Sequence, residues 1–116
     1  MQDTLSVAHR LSRETGYDHV VRAENVSDGI FRVFFVQNSQ KNSRLGIIIG
    51  KKTVSGAADR NRIKRIIRET FRQHNIKQNN LDVVVLVRRP FPQAASTQAA
   101  NLIMLFNRIE NRCAEF

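Results

Sequence analysis

Arg60-Asn61-Arg62-Ile63-Lys64-Arg65-Ile66-Ile67-Arg68-Glu69 sets isoleucines at helical spacing and fills the positions between them with cations. At 100° per residue, Ile63, Ile66, Ile67 and Phe71 fall within about 140° of arc, the width of a stripe that faces a core. Arg60, Asn61, Lys64, Arg65, Arg68 and Arg72 are read as a separate, cationic arc, with Arg62 on a third side close to Glu69. The segment predicts a helix from about Ala57 to His74. Cations at i,i+4, as in Arg60/Lys64/Arg68/Arg72, repel one another mildly in an isolated helix. Most charge runs are solvated faces with acids interspersed, whereas this arc is unrelieved. Such a surface makes sense mainly against a polyanion.

The charge balance of the whole chain is concentrated there. Between Lys51 and Lys77 lie nine positive and two negative charges, a net of seven out of the chain's nine. Arginine outnumbers lysine on the arc, and its planar fork suits phosphate oxygens bidentately.

Working outward, Ile30 to Gln37 is dense in β-branched and aromatic residues and predicts a strand. A second strand spans Arg44 to Lys51, with Leu45, Ile47 and Ile49 on one face and Ile48 and Gly50 on the other. Asn25 to Gly29 reads as a turn and Lys77 to Asn80 as a loop. Leu81 to Val87 has no clean alternation and predicts a buried strand. Ser12 opens a short helix to about Ala23. Pro90 and Pro92 enforce a break, and from Gln93 a last helix carries Ala95, Ala99, Leu102, Leu105, Phe106, Ile109 and Cys113. The residues alone give the order α-β-β-α-β-α, with room for an extra strand division within 30 to 51. Helices packed on a small sheet follow.

The length of 116 residues suits one domain over residues 1–116, with residues 1–9 lacking strong periodicity and expected to be loosely ordered. The longest apolar runs, Val83 to Val87 and Leu102 to Phe106, are five residues each. A bilayer span needs roughly 20, so no membrane partner is expected. Residues 1–20 contain no apolar segment of the secretory type, and no signal is expected. The single cysteine, Cys113, fits a reducing, cytoplasmic compartment and reads as a small helix-face residue.

Catalytic constellations are missing from the sequence. His9, His19 and His74 have no metal-ligand spacing to one another or to Cys113 and read as surface residues. No Walker-type glycine loop, nucleophile elbow or close carboxylate pair is visible. One further feature suggests RNA. Arg32 shares a strand side with Phe34 and Val36, so that side is unsuited to a sealed core. A cation beside an aromatic on an open sheet can hold a backbone while a base stacks.

With Lys51-Lys52 upstream, the run from Arg60 through Thr70-Phe71-Arg72 resembles the bacterial ribonuclease P protein family. The resemblance extends over nearly the whole chain: Arg10-Leu11, Arg44-Leu45-Gly46 opening the lysine strand, Asp82-Val83-Val84-Val85, and the last amphipathic helix. It implies an α+β, two-layer α/β sandwich of order α-β-β-β-α-β-α, with about four strands and a left-handed βαβ crossover around the basic helix. It also implies a division of labour. The catalyst is an RNA subunit using Mg²⁺ to hydrolyse the phosphodiester at the 5′ end of mature tRNA. The protein binds that RNA and the single-stranded 5′ leader of precursor tRNA. By this resemblance Lys51, Lys52, Arg60, Asn61, Arg62, Lys64, Arg65, Arg68 and Arg72 bind the catalytic RNA. Tyr17, Val21, Arg32, Phe34 and Ile48 bind the leader in a cleft between the first helix and the sheet. Val21 stands where the family commonly has a second aromatic, and Arg32 where it often has an aliphatic. The first should stack less and the second should hold phosphate more.

The chain is expected to act as a monomer that requires no protein partner. Two readings compete with this one: a general RNA-binding or ribosome-assembly protein, and a protein-only nuclease. A DNA-binding helix-turn-helix fits poorly, because the basic helix is flanked by strands.

Overall fold

Leu81–Val87 is the strand on which both layers are built. In a computed structural model of the protein, which describes residues 17–38, 42–89 and 95–113, this strand (β4) lies inside a four-stranded sheet. The elements before it are α1 (Asp18–Val21), β1 (Glu24–Ser27), β2 (Phe31–Gln37), β3 (Arg44–Ile49), α2 (Ala57–Gln73) and a 3-10 turn at Asn75–Gln78; α3 (Ala95–Cys113) follows it. The strand order is β1-β2-β4-β3. β1 and β2 pair antiparallel, as do β2 and β4, whereas β3 and β4 are parallel. A parallel pair needs a long crossover, and α2 supplies it.

β4 loses its alternation because both of its faces are covered. Leu81, Val83, Val85 and Val87 join a core with Ile63, Ile67 and Phe71 of α2 and Leu102, Leu105, Phe106 and Ile109 of α3. Phe71 meets Phe106 edge to face, with ring centroids 6.1 Å apart. On the opposite face Val84 packs against Val20 of α1, with Tyr17, Val21, Phe34, Val36 and Ile48 around the pair. Leu45, Ile47 and Ile49 of β3 face the helix layer, as their spacing predicts.

Several boundaries differ from expectation. Asn25–Gly29 is not one turn: Glu24–Ser27 forms the edge strand β1, and reversal is left to Asp28–Ile30. Asp28 Oδ1 accepts from the amides of Ile30 (2.8 Å) and Phe31 (2.7 Å), which closes that turn. The third early strand therefore precedes residue 30, and the order implied by the family resemblance is the observed one. β3 ends at Ile49, short of Lys51, because its partner strand ends at Val87 in register with it. Gly50 O then accepts from Thr53 N and Val54 N, leaving Lys51 and Lys52 on an exposed turn. Most of the loop expected at Lys77 to Asn80 belongs to or caps the 3-10 turn. The Ser12–Gly16 part of the first helix, Arg10-Leu11, His9, residues 1–9, Pro90, Pro92 and Gln93 lie outside the described residues.

Among the described residues one ionised group, Asp82, is buried in this frame. The Asp82 carboxylate accepts four bonds, each 2.8 Å: Arg44 Nε and Asn38 Nδ2 on Oδ1, and Arg44 Nη2 and His19 Nε2 on Oδ2. These match the acceptor capacity of a carboxylate. Burial pushes this carboxyl up, but the bonds from Arg44, Asn38 and His19 outweigh it and hold the group below the usual carboxylate value. A carboxyl lowered in the folded state contributes stability that is fully present above its unfolded value near 3.9. That stability is lost as pH falls through the folded value. Asp82→Asn should lower stability at pH 7 by about 1.5 to 3 kcal/mol, the range for hydrogen bonds to charged groups. It should also flatten the loss below about pH 4. Urea unfolding at pH 7, 4 and 3 checks both; parallel curves for the two proteins would contradict this role.

Candidate nucleic-acid interface

The cationic flank of α2 faces outward. Asn61, Arg62 and Arg65 are exposed, and Arg60, Lys64, Arg68 and Arg72 are half-buried. Helix α2 is anchored by its other side, where Ile63, Ile67 and Phe71 are buried. Asn61, Lys64, Arg65, Arg68 and Arg72 share about 100° of arc. Arg60 does not belong to it, contrary to the expectation from sequence. Three residues before Ile63, it lies only about 60° from that side chain around the helix. Its Nη1 donates to the carbonyls of Val54 (2.9 Å) and Ser55 (2.8 Å), so it clamps the β3–α2 connection.

Acids on α2 itself pair with two of its arginines, Arg72 and Arg62. Arg72 is bound through Nε and Nη2 by Glu69, whose carboxyl this guanidinium holds below its ordinary range. Arg62 lies 3.8 Å from Asp59 rather than beside Glu69. Exposed pairs of this kind contribute little. The side chains of Lys64 and Arg65 make no hydrogen bond or ion pair among the described residues. Ile66, expected in the core, is only half-buried. It lines a groove of about 640 Å³ between α2 and α3 with Thr70, Ala99 and Ile103, and Arg65 stands at its rim.

The second surface lies on the other face of the sheet, and pairing register arranges it in rows. Asn25, Phe34, Val84 and Gly46 form one row; Ser27, Arg32, Leu86 and Ile48 form the next. Helix α1 covers the first row, with Val20 on Val84. Four of the five residues expected in the cleft, Tyr17, Val21, Phe34 and Ile48, gather around Val20 and Val84. Arg32 is half-buried in the adjoining row, and its Nε is buried with no hydrogen-bond partner among the described residues.

Sequence reasoning missed parts of this site. Leu86 is half-buried between Arg32 and Ile48, and only the parity of β4 relative to Val84 would have marked it. His19 and His74 are more than surface residues. His19 bonds Asp82, while His74 Nδ1 accepts from Ile76 N (3.1 Å) and its ring meets Phe106. Cys113 packs half-buried against the core, and burial pushes its thiol up. Among the described residues no three His, Cys, Asp or Glu side chains cluster to hold a metal, and no helix is long and apolar enough to cross a membrane.

The same fold recurs in solved proteins. The ribonuclease P protein of Thermotoga maritima superposes with a TM-score of 0.74 at 28% identity, over 85% of this chain and 96% of that one. The Staphylococcus aureus ribonuclease P protein gives 0.77 at 26% identity, over 87% of this chain and 94% of that one. Among curated relatives, the ribonuclease P protein component of Thioalkalivibrio sulfidiphilus is 44% identical over 80 residues, covering 68% of this chain and 67% of its own. That of Alcanivorax borkumensis is 33% identical over 110 residues, covering 92% and 91%. A family model described as Ribonuclease P matches residues 5–110. The chain therefore belongs to the ribonuclease P protein family, the accessory protein subunit of an RNA-containing endoribonuclease that matures tRNA 5′ ends.

Proposed function

We propose that the basic flank of α2 docks on the catalytic RNA subunit while the cleft between α1 and the sheet holds the 5′ leader of precursor tRNA. The observation that carries this reading is the placement of two unlike surfaces on opposite faces of one sheet. Cations stand on the outer side of α2, and an aromatic-apolar cleft lies under α1 with Arg32 in the adjoining row. Lys64, Arg65 and Arg68, with Asn61 beside them, are the central phosphate-binding groups. Lys51, Lys52 and Arg62 extend the same field from exposed positions. Arg60 and Arg72 act at its ends, each with a local partner.

In the cleft, Phe34 offers a ring for a base, with Tyr17, Val21 and Ile48 as apolar walls and Arg32 aimed at the backbone. Hydrolysis is assigned to the RNA subunit. Enzymes of this family are generally metal-dependent, and Mg²⁺ is the ion we propose. It would activate the attacking water. RNA and substrate phosphates are its proposed ligands. The protein's own work is electrostatic neutralisation and leader positioning. A cytoplasmic particle is the proposed setting, and the reading needs no protein partner beyond the RNA.

Arg65→Ala should weaken assembly with the RNA subunit. Its salt dependence should flatten by about 0.7 to 0.9 in log-log slope for each phosphate that the variant no longer neutralises. Titration of a ribonuclease P RNA at several salt concentrations measures both, and an unchanged slope contradicts the docking role. Phe34→Ala should weaken precursor tRNA binding to the holoenzyme by roughly 1 to 3 kcal/mol if a base stacks there, and leave mature tRNA unaffected. Equal losses for the two substrates would rule out a leader-binding role for this ring.

A further inference from the structure

Helix α1 has only four residues among those described, too short to hold its shape or place unaided. Besides the packing of Val20 on Val84, two interactions fix it over the sheet. His19 donates Nε2–H to the buried Asp82 carboxylate, which joins α1 to the central strand. Tyr17 lies against Gly46 of β3: a Cβ built there would meet the ring at 2.5 Å from Cε1 and 2.6 Å from Cζ. Heavy atoms cannot approach that closely, so any side chain at position 46 must displace the ring.

We propose that His19, through Asp82, and Gly46, through Tyr17, are positioning residues that set the width of the leader cleft for single-stranded RNA. This rests on the leader-binding reading above. The two interactions hold α1 over the row containing Phe34, Val84 and Gly46. The row of Arg32, Leu86 and Ile48 is left beside it as the cleft's open floor. An α1 that shifts alters the gap between Tyr17 and Phe34, and a base sandwiched there is left unsupported on one side. The helix layer and the α2 flank, on the other face of the sheet, are untouched by such a shift.

The test measures holoenzyme affinity for precursor and for mature tRNA and takes their ratio as the leader contribution. Gly46→Ala should cut that ratio about tenfold, with mature tRNA affinity and RNA-subunit assembly unchanged. In a Tyr17→Ala background, Gly46→Ala should cause no further loss, because the ring it displaces is gone. His19→Ala should reduce the ratio in the same direction, and His19→Gln, which keeps a donor for Asp82, should restore most of it. The proposal is overturned if Gly46→Ala costs as much without Tyr17 as with it, or if neither single variant changes the ratio. Should Gly46→Ala fail to assemble, the His19 pair decides alone: loss in Ala with rescue in Gln supports the proposal, and equal behaviour overturns it. Phe34→Ala separates leader binding from positioning. If it too leaves the ratio unchanged, the leader reading itself fails; if it alone lowers the ratio, only the positioning role fails.

Discussion

A carboxylate can be buried only if its lone pairs are met, and the cleft side of this sheet is organised around meeting those of Asp82. Arg44 brings β3, Asn38 brings the end of β2, and His19 brings α1 to the same two oxygens on the central strand. The opposite face has no such group among its core residues and is sealed by apolar side chains of α2 and α3. One sheet thereby acquires two unlike sides, one dry and one that remains a partly open cleft.

The dry side lets α2 carry a charge load that would otherwise melt it. Ile63, Ile67 and Phe71 are fully buried, each worth roughly 1.5 to 3 kcal/mol of transfer free energy. Each i,i+4 repulsion among its cations costs only about 0.2 to 0.5 kcal/mol. Burial wins, and the side chains of Lys64 and Arg65 stay without an ion pair among the described residues. Asp59 and Glu69 take up Arg62 and Arg72 toward the two ends of the helix. The cationic flank lies on the face of the sheet opposite the cleft, which suits the proposed docking of an RNA subunit on one side and a single strand on the other.

Much of this was legible in the chain. The isoleucine spacing of α2, the split faces of β3 and the doubly covered β4 follow from periodicity. The cleft residues came from family resemblance, and their spatial gathering at Val20–Val84 bears on whether they act together. What stayed hidden has physical reasons. Glu24–Ser27 is a short edge strand that among the described residues pairs with β2 alone, so its polar sequence reads as a turn. Arg60 looked like part of the basic arc because its neighbours are, yet its angular position sends it toward Val54 and Ser55. His19 and Asp82 are 63 residues apart, and nothing local announces their bond. Gly46 gives no sign in sequence that a ring rests on it.

The most direct measurement is cleavage of precursor tRNA by a ribonuclease P RNA at low and high Mg²⁺, with and without this chain. The protein should raise 5′ cleavage at low Mg²⁺ and add little at high Mg²⁺. Failure to raise it, or cleavage by the RNA-free protein alone, would contradict a subunit that neutralises RNA and leaves the chemistry to it.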